Sequence, residues 1–361
     1  MIRAIVLTCL GGLLPTAAVG QTIVWTDVNG RRIQSKDVNG GAVETVVQFE
    51  APQAATQIHY DPIAAKLYYL FYGPPATFQR ANVDGSEPEN IPTSSVPDPI
   101  FSSQFSLNVE SRKLYWISGA NLNVFNRSEL DGSGAESHTF ASCCLLAVEA
   151  LGDDLFFGAG GAMLKGIWRA DADGSNEQFL HNTPQPFDLA HDPVENKIYL
   201  GTIDGIYRMN LDGTDFYRIG DIDSAPLIVV DSRGRKVYWG GFRLIQRSNL
   251  DGSNVEDFLT AGDVGNPNLD IRGLTIVDSY PVTGACCDVD PFAAPCTDGA
   301  FLSQCDCVSC LWHRFRTCDE MECAPNPIPT ASAWGLVVLA LLLIIGAKIV
   351  FRPISRVSPE G

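Results

Sequence analysis

Two sets of residues in this 361-residue chain have types and spacing that could do chemistry. One is a run of eight cysteines: Cys286, Cys287, Cys296, Cys305, Cys307, Cys310, Cys318 and Cys323. The spacing Cys305-x-Cys307-x-x-Cys310 suits zinc, because thiolates close in sequence can share a tetrahedral ion. An even set in a segment too short for its own core reads better as a disulfide framework. Eight cysteines allow on the order of a hundred pairings, and the spacing does not choose among them. The adjacent Cys143-Cys144 pair is open between a vicinal bond, pairing with that module, and free thiols.

The other set is six acids, each ending a short apolar run: Asp61, Glu110, Glu149, Asp192, Asp231 and Asp278. Six carboxylates could hold a cation. One acid per unit at a fixed place is, however, what a repeated fold constraint produces, since an acid there can accept backbone N–H groups at the next turn. Capping is therefore the expectation, and no metal site is assigned. The five histidines show no ligand spacing, and His59 and His191 are expected as hydrogen-bonded core residues. No Gly-x-Ser-x-Gly, His-Glu-x-x-His or phosphate-loop stretch occurs, so no catalytic residue and no cofactor is expected.

These residues need elements to position them, and the chain supplies a repeat. An Asp-Gly pair recurs at Asp84-Gly85, Asp131-Gly132, Asp173-Gly174, Asp212-Gly213 and Asp251-Gly252, with Asn39-Gly40 as a sixth. Upstream of each stands an aromatic-rich strand: 23–27, 66–72, 113–118, 155–159, 197–202 and 236–241. Aromatic and β-branched residues favour pleated, half-buried strands, and Asp-Gly supplies the φ > 0 residue of a tight hairpin. Each unit thus reads as four short strands in about 40 residues, one propeller blade.

The repeat is out of phase at its ends. It opens on an aromatic strand at Ile23 without an inner strand and closes with a spare inner strand over 271–280. If the two pair, six complete blades close and two bare sheet edges disappear. The predicted fold class is all-β: a six-bladed propeller over 21–281 closed by its terminal strands, a small disulfide-rich module over 284–325, and a transmembrane helix.

That helix is read from 333–351, nineteen residues spanning about 28 Å, roughly a bilayer core. Lys348, Arg352 and Arg356 follow it and place the C-terminus in the cytoplasm. Residues 1–20, with Arg3 before an apolar run, read as a secretory signal cleaved before Gln21. Residues 22–280 hold 19 Lys and Arg against 34 Asp and Glu, a net charge of −15. That field repels phosphate backbones, so nucleic acid is excluded as a partner.

The repeat resembles the low-density lipoprotein receptor class B repeat, known by its Tyr-Trp-Thr-Asp motif. Trp25-Thr26-Asp27 keeps three letters of it, and Tyr115-Trp116 and Tyr238-Trp239 keep two. Asn210-Leu211-Asp212-Gly213 and Asn249-Leu250-Asp251-Gly252 keep the family's later phrase. The resemblance implies a six-bladed ring that binds proteins or other ligands without catalysis; most repeats here lose the Thr-Asp half. The tail from 328, where Ile328, Pro329, Thr330, Ser332, Trp334 and Gly335 match, resembles the bacterial IPTL-CTERM sorting signal and implies handling by an exosortase-type enzyme. The segment 284–323 is similar to small Gly-Ala-Cys-Cys modules beside such signals. A bacterial tail also discounts Asn126-Arg127-Ser128 as a glycosylation triplet.

The resulting expectation is an extracytoplasmic, envelope-anchored, non-catalytic propeller for a protein or carbohydrate ligand. Tyr72, Phe101, Asn121 and Phe242, in loops expected on one face, are the candidate anchors. A metal-dependent sugar-lactone hydrolase and a structural surface spacer are the alternatives, since fold alone does not fix function.

Overall fold

The computed structural model describes residues 21–72, 77–92, 104–118, 122–140, 144–161, 165–221 and 227–278, and the backbone of 283–288, 297–301 and 310–314. The chain divides into two units, 1–282 and 283–361. The described part of the first contains only strands, turns and bends.

The strands of that unit form six four-stranded antiparallel sheets. Blade 1 has strands β1 (Gln21–Asp27), β2 (Arg32–Asp37) and β3 (Glu44–Gln48). Blade 2 runs β4 (Ala54–Asp61), β5 (Lys66–Tyr72), β6 (Thr77–Asn82), β7 (Glu89–Ile91). Blade 3 runs β8 (Phe105–Asn108), β9 (Lys113–Ser118), β10 (Val124–Glu129), β11 (Glu136–Thr139). Blade 4 runs β12 (Leu145–Leu151), β13 (Asp154–Ala159), β14 (Gly166–Asp171), β15 (Gln178–His181). Blade 5 runs β16 (Pro186–Asp192), β17 (Lys197–Thr202), β18 (Gly205–Asn210), β19 (Tyr217–Asp221). Blade 6 runs β20 (Leu227–Asp231), β21 (Lys236–Gly240), β22 (Leu244–Asn249), β23 (Glu256–Thr260).

The missing inner strand of blade 1 is β24 (Ile271–Asp278), which pairs with β1 from Gln21↔Asp278 to Asp27↔Ile271. The phase shift in the repeat therefore does close the ring. Each inner strand packs on the inner strands of both neighbouring blades, β24 on β4 and β20 included.

The core lies between blades, in clusters that join residues of adjacent sheets. Trp25, Tyr68, Tyr115, Trp116, Phe156, Tyr199 and Tyr238 of the aromatic strands are fully buried. Burying rings of this size dominates core energetics, which is why the aromatic strand is the best-kept mark of each repeat. A polar bond also joins blades. Arg127, Arg208 and Arg247, on third strands, donate from Nη1 to the carbonyls of Ala172, Leu250 and Val38, in the next blade's third-to-fourth turn. In blade 1 the Thr-Asp half of the motif survives and works: Thr26 donates to the Thr56 carbonyl of blade 2, while Asp27 accepts from Gly30 N and Arg32.

The second unit holds a three-stranded antiparallel sheet, with β25 (Thr283–Asp288) between β26 (Thr297–Phe301) and β27 (Cys310–Arg314). Cys286 and Cys287 stand on β25, and Cys310 is paired in register with Asp288. Cys296, Cys305, Cys307, Cys318 and Cys323 lie outside the described residues, as do segments 1–20 and 333–351, on which the expected export signal and membrane helix fall. No helix among the described residues is long and apolar enough to cross a membrane.

Candidate functional site

Antiparallel blades give the ring two unlike faces. Loops between first and second strands, and between third and fourth, leave one face; the remaining loops leave the other. The Asp-Gly pairs all fall on the first, the turn face, between third and fourth strands. Gly252 has φ +85°, and a Cβ there would stand 1.9 Å from the Ile219 carbonyl oxygen of blade 5. The glycine is needed twice, for its left-handed backbone and for close approach to the preceding blade. The aspartate caps the same turn: Asp251 Oδ1 accepts from Ser253 N at 2.9 Å and Ser253 Oγ at 2.6 Å. Those bonds hold its carboxyl below the usual range, as they do for Asp84, Asp131, Asp173 and Asp212.

The repeated acids divide. Asp61, Asp192 and Asp231 cap the turn after the inner strand, accepting from Ile63 N, Val194 N and Gly234 N. Asp61 also takes Arg112 of blade 3 at 2.8 Å. Asp278 ends β24 and pairs with Arg233 of blade 6 at 3.2 Å. Two assignments need correction. In blade 3 the cap is Asn108, whose Oδ1 accepts from Ser111 N at 2.9 Å; Glu110 lies in the turn beyond it. Asn108 sits opposite Lys113 in register, as Asp61 sits opposite Lys66. The irregular spacing of Glu110 was the trace of this exchange. In blade 4 Glu149 lies inside β12, opposite Phe156, and Leu151 ends the strand.

Glu149 thus stands within the inner strand of blade 4, and a second carboxylate, Asp188, stands within β16, the inner strand of blade 5. Ser106 Oγ of blade 3 donates to Glu149 Oε2 at 3.1 Å, and the His191 N–H of blade 5 also bonds Glu149. Asp188 accepts from Leu189 N at 3.0 Å and from Ile228 N of blade 6 at 2.9 Å. Burial raises Glu149 to about 8, with Asp188 adding repulsion that exceeds neither burial nor the opposing Ser106 bond. Burial raises Asp188 to about 7. Gln104 Nε2 of blade 3 reaches the Phe187 carbonyl of blade 5 at 3.0 Å. His59 is kept neutral by burial, its pKa lowered to about 4, and its ring lies 4.6 Å from that of Phe105. Among the described residues no three His, Cys, Asp or Glu side chains group to hold a metal.

The second face is different in kind. Tyr72, the last residue of β5, and Phe242, on the second-to-third connection of blade 6, are 60% and 57% exposed, and Ile203 of blade 5 is 54% exposed. The Arg243 guanidinium lies 5.7 Å from the Phe242 ring centre, and Phe242 bridges Asp270 through its backbone. Phe101 and Asn121, the other sequence candidates, lie outside the described residues. The exposed apolar residues of the turn face, Ile63, Val194 and Val255, are all aliphatic. Charge divides the same way. Turn-face loops carry eleven Asp and Glu against three Lys and Arg; the described loops of the second face carry four against three. The glycosylation triplet is closed off, because Asn126 is buried and its Nδ2 donates to Ser118 Oγ at 2.7 Å.

No family model and no curated protein matches the chain. Solved structures do. A chain from a nidogen/laminin complex aligns at TM-score 0.61 and 13% identity, covering 72% of this chain and 100% of that one. TolB from Acinetobacter baumannii aligns at 0.57 and 14%, covering 71% of this chain and 66% of its own length. The likeness is one of fold: a six-bladed propeller.

Proposed function

We propose that the ring is a non-catalytic recognition module that presents its second face to a protein or glycan ligand. The observation that carries this reading is the asymmetry of the faces. Tyr72 and Phe242, exposed aromatics of the kind that anchor recognition surfaces, stand at the second face, whose described loops are the less acidic of the two. The inner-strand carboxylates favour the same reading, since Glu149 Oε2 and Asp188 Oδ2 each accept a hydrogen bond from a neighbouring blade.

We further propose kinship with low-density lipoprotein receptor class B propellers. Its supports are the Asn-Leu-Asp-Gly turns and the likeness to a ring solved in a nidogen/laminin complex. Export through the 1–20 segment, a disulfide-bonded 284–325 module and anchoring or sorting through 333–351 complete the proposal.

The test is binding of the full chain, in mild detergent, to glycan and envelope-protein arrays. Saturable binding should fall about tenfold or more in the Tyr72→Ser/Phe242→Ser variant, the loss of two aromatic anchors, with its melting temperature unchanged. Binding indifferent to both substitutions, or turnover of sugar lactones by the purified chain, would overturn the reading.

A further inference from the structure

One four-residue phrase, Asp-Val-Asn-Gly, occurs twice in blade 1, at 27–30 and 37–40, and these are the two Asn-Gly pairs of the chain. Asn-Gly is a dipeptide open to self-modification. The glycine has no side chain to shield its backbone nitrogen from the amide carbon of the asparagine before it. The phrase is identical at both places, so any difference in reactivity must come from the fold.

The first copy, between β1 and β2, is tied down. Asn29 Nδ2 donates to the Asn268 carbonyl at 2.8 Å, and Gly30 N donates to Asp27 Oδ1 at 2.9 Å. Asp27 is fully buried and also accepts from Arg32 and Asn266. A Cβ on Gly30 would stand 2.1 Å from Asp27 Oδ2, so this turn is closely packed.

The second copy, between β2 and β3, is loose. Asn39, Gly40 and Gly41 are exposed. The Asn39 backbone N–H donates to Asp37 Oδ1 at 2.8 Å, and no hydrogen bond among the described residues engages its side-chain amide. Gly40 and Gly41 have φ +109° and +115°, and nothing lies within 4 Å of where a Cβ on either would stand. In the other five turns the glycine lies against the preceding blade, as Gly85 does on Val46 and Gly252 on Ile219. Their aspartates are bonded by the Ser or Thr two residues on and held ionised, and an ionised carboxylate offers an attacking nitrogen no leaving group. Gly41 takes the place of that Ser or Thr in blade 1, and the side chain before it is a neutral amide. The Gly40 N–H does donate to the Asp37 carbonyl at 3.0 Å, as the glycines of the other five turns donate to theirs. That bond must open before the nitrogen can attack, and local opening is easiest where no packing opposes it.

We propose that Asn39-Gly40 is a self-modification site, at which the folded chain converts its own asparagine to isoaspartate and aspartate while Asn29-Gly30 is protected. The deprotonated Gly40 nitrogen attacks Asn39 Cγ, the new C–N bond closes a five-membered succinimide, and the side-chain nitrogen leaves as ammonia. Water then opens the ring. Attack at the backbone carbonyl gives isoaspartate, and attack at the side-chain carbonyl gives aspartate. Either product adds a negative charge beside Val38, whose carbonyl takes Arg247 of blade 6. Isoaspartate also lengthens the backbone there by one methylene.

The experiment incubates the full chain at mildly alkaline pH, folded or in urea, and follows its peptides by mass spectrometry. In the folded chain the Asn39 peptide should gain one dalton and separate into two products. It should do so about tenfold or more faster than the Asn29 peptide, a barrier lower by about 1.4 kcal/mol. In urea both copies lose their surroundings and the two rates should converge. The folded Asn39→Ser chain, altered only in an exposed turn, should keep its mass over the same period. Equal rates for Asn39 and Asn29 in the folded chain would overturn the proposal. So would an Asn39 peptide that converts in urea and stays intact when folded, since the Gly40–Asp37 bond would then be protecting it.

Discussion

The two faces of the ring are made by the same strands and obey different rules. On the turn face five loops repeat one device: an Asp-Gly pair, a Ser or Thr two residues after the aspartate, and a carboxylate that closes on it. On the opposite face the connections share no phrase. Strand β5 ends there on Tyr72, one connection carries Ile203 and another Phe242 beside Arg243. Repetition marks what every blade must do to fold. Freedom from repetition marks where the ring can differ from other rings, so recognition is sought there and not among the recurring acids.

The largest break in this comparison comes from one substitution made on both faces. Gly252→Ala puts a methyl into the Ile219 carbonyl at a backbone angle that L-residues rarely adopt. Strain and a lost blade contact together should cost about 3 kcal/mol or more. Gly262→Ala, in the connection between β23 and β24, meets only Thr260 Oγ1 at 3.5 Å and should be neutral or stabilising by about 0.5 kcal/mol. Urea midpoints at constant m-value measure both. Equal midpoints would mean that Gly252 is an ordinary hairpin glycine.

The number of blades, the strand order and the closing pair β1–β24 were legible because each rests on a periodic signal: an aromatic strand, an Asp-Gly turn and a phase shift. The turn-capping role of Asp61, Asp192 and Asp231 was legible for the same reason. Asn108 was missed because it caps like aspartate but carries no charge, so an acid two residues later took its place in the pattern. Glu149 was read as a cap because it precedes its aromatic by the usual interval, yet β12 continues two residues further to a tighter turn at Gly152-Asp153. Asp188 gave no signal at all. It is not repeated, and its surroundings come from blades 4 and 6, far away in sequence. A single-copy residue whose role depends on long-range contacts leaves no period to read.

An intermediate effect sharpens the comparison through arginine. Arg247 of blade 6 donates to the Val38 carbonyl of blade 1 at 2.6 Å and to Tyr238 Oη at 3.2 Å, and pairs with Glu256. Arg247→Met keeps the apolar stem and leaves the carbonyl without that donor, which should cost about 1–2 kcal/mol. Arg243→Met removes only the contact over Phe242 and should stay within about 0.5 kcal/mol. Blade 1 is also the blade that the two ends of the ring close, so Arg247→Met should lower the melting temperature measurably by circular dichroism. A cost equal to that of Arg243→Met would remove the arginine bond as a joint between blades.

The smallest effect asks whether capping belongs to one face alone. Asp251 on the turn face and Asp263 in the connection between β23 and β24 both accept an N–H and a hydroxyl, from Ser253 and Thr260. Both carboxyls are held below their usual value. A carboxyl lowered on folding contributes stability that is present above its unfolded value and lost as pH falls through the folded one. Asp251→Asn and Asp263→Asn should therefore each lower stability slightly at pH 7, leave it nearly unchanged at low pH, and so flatten the acid limb below about pH 4. The acid limb is read from midpoints between about pH 2.5 and 5. If Asp251→Asn shifts the limb and Asp263→Asn does not, capping strength is a property of the repeated turn. If both shift it equally, the cap is local chemistry available to any loop. What sets the turn face apart is then the close glycine contact between blades, and the five aspartates are its accompaniment.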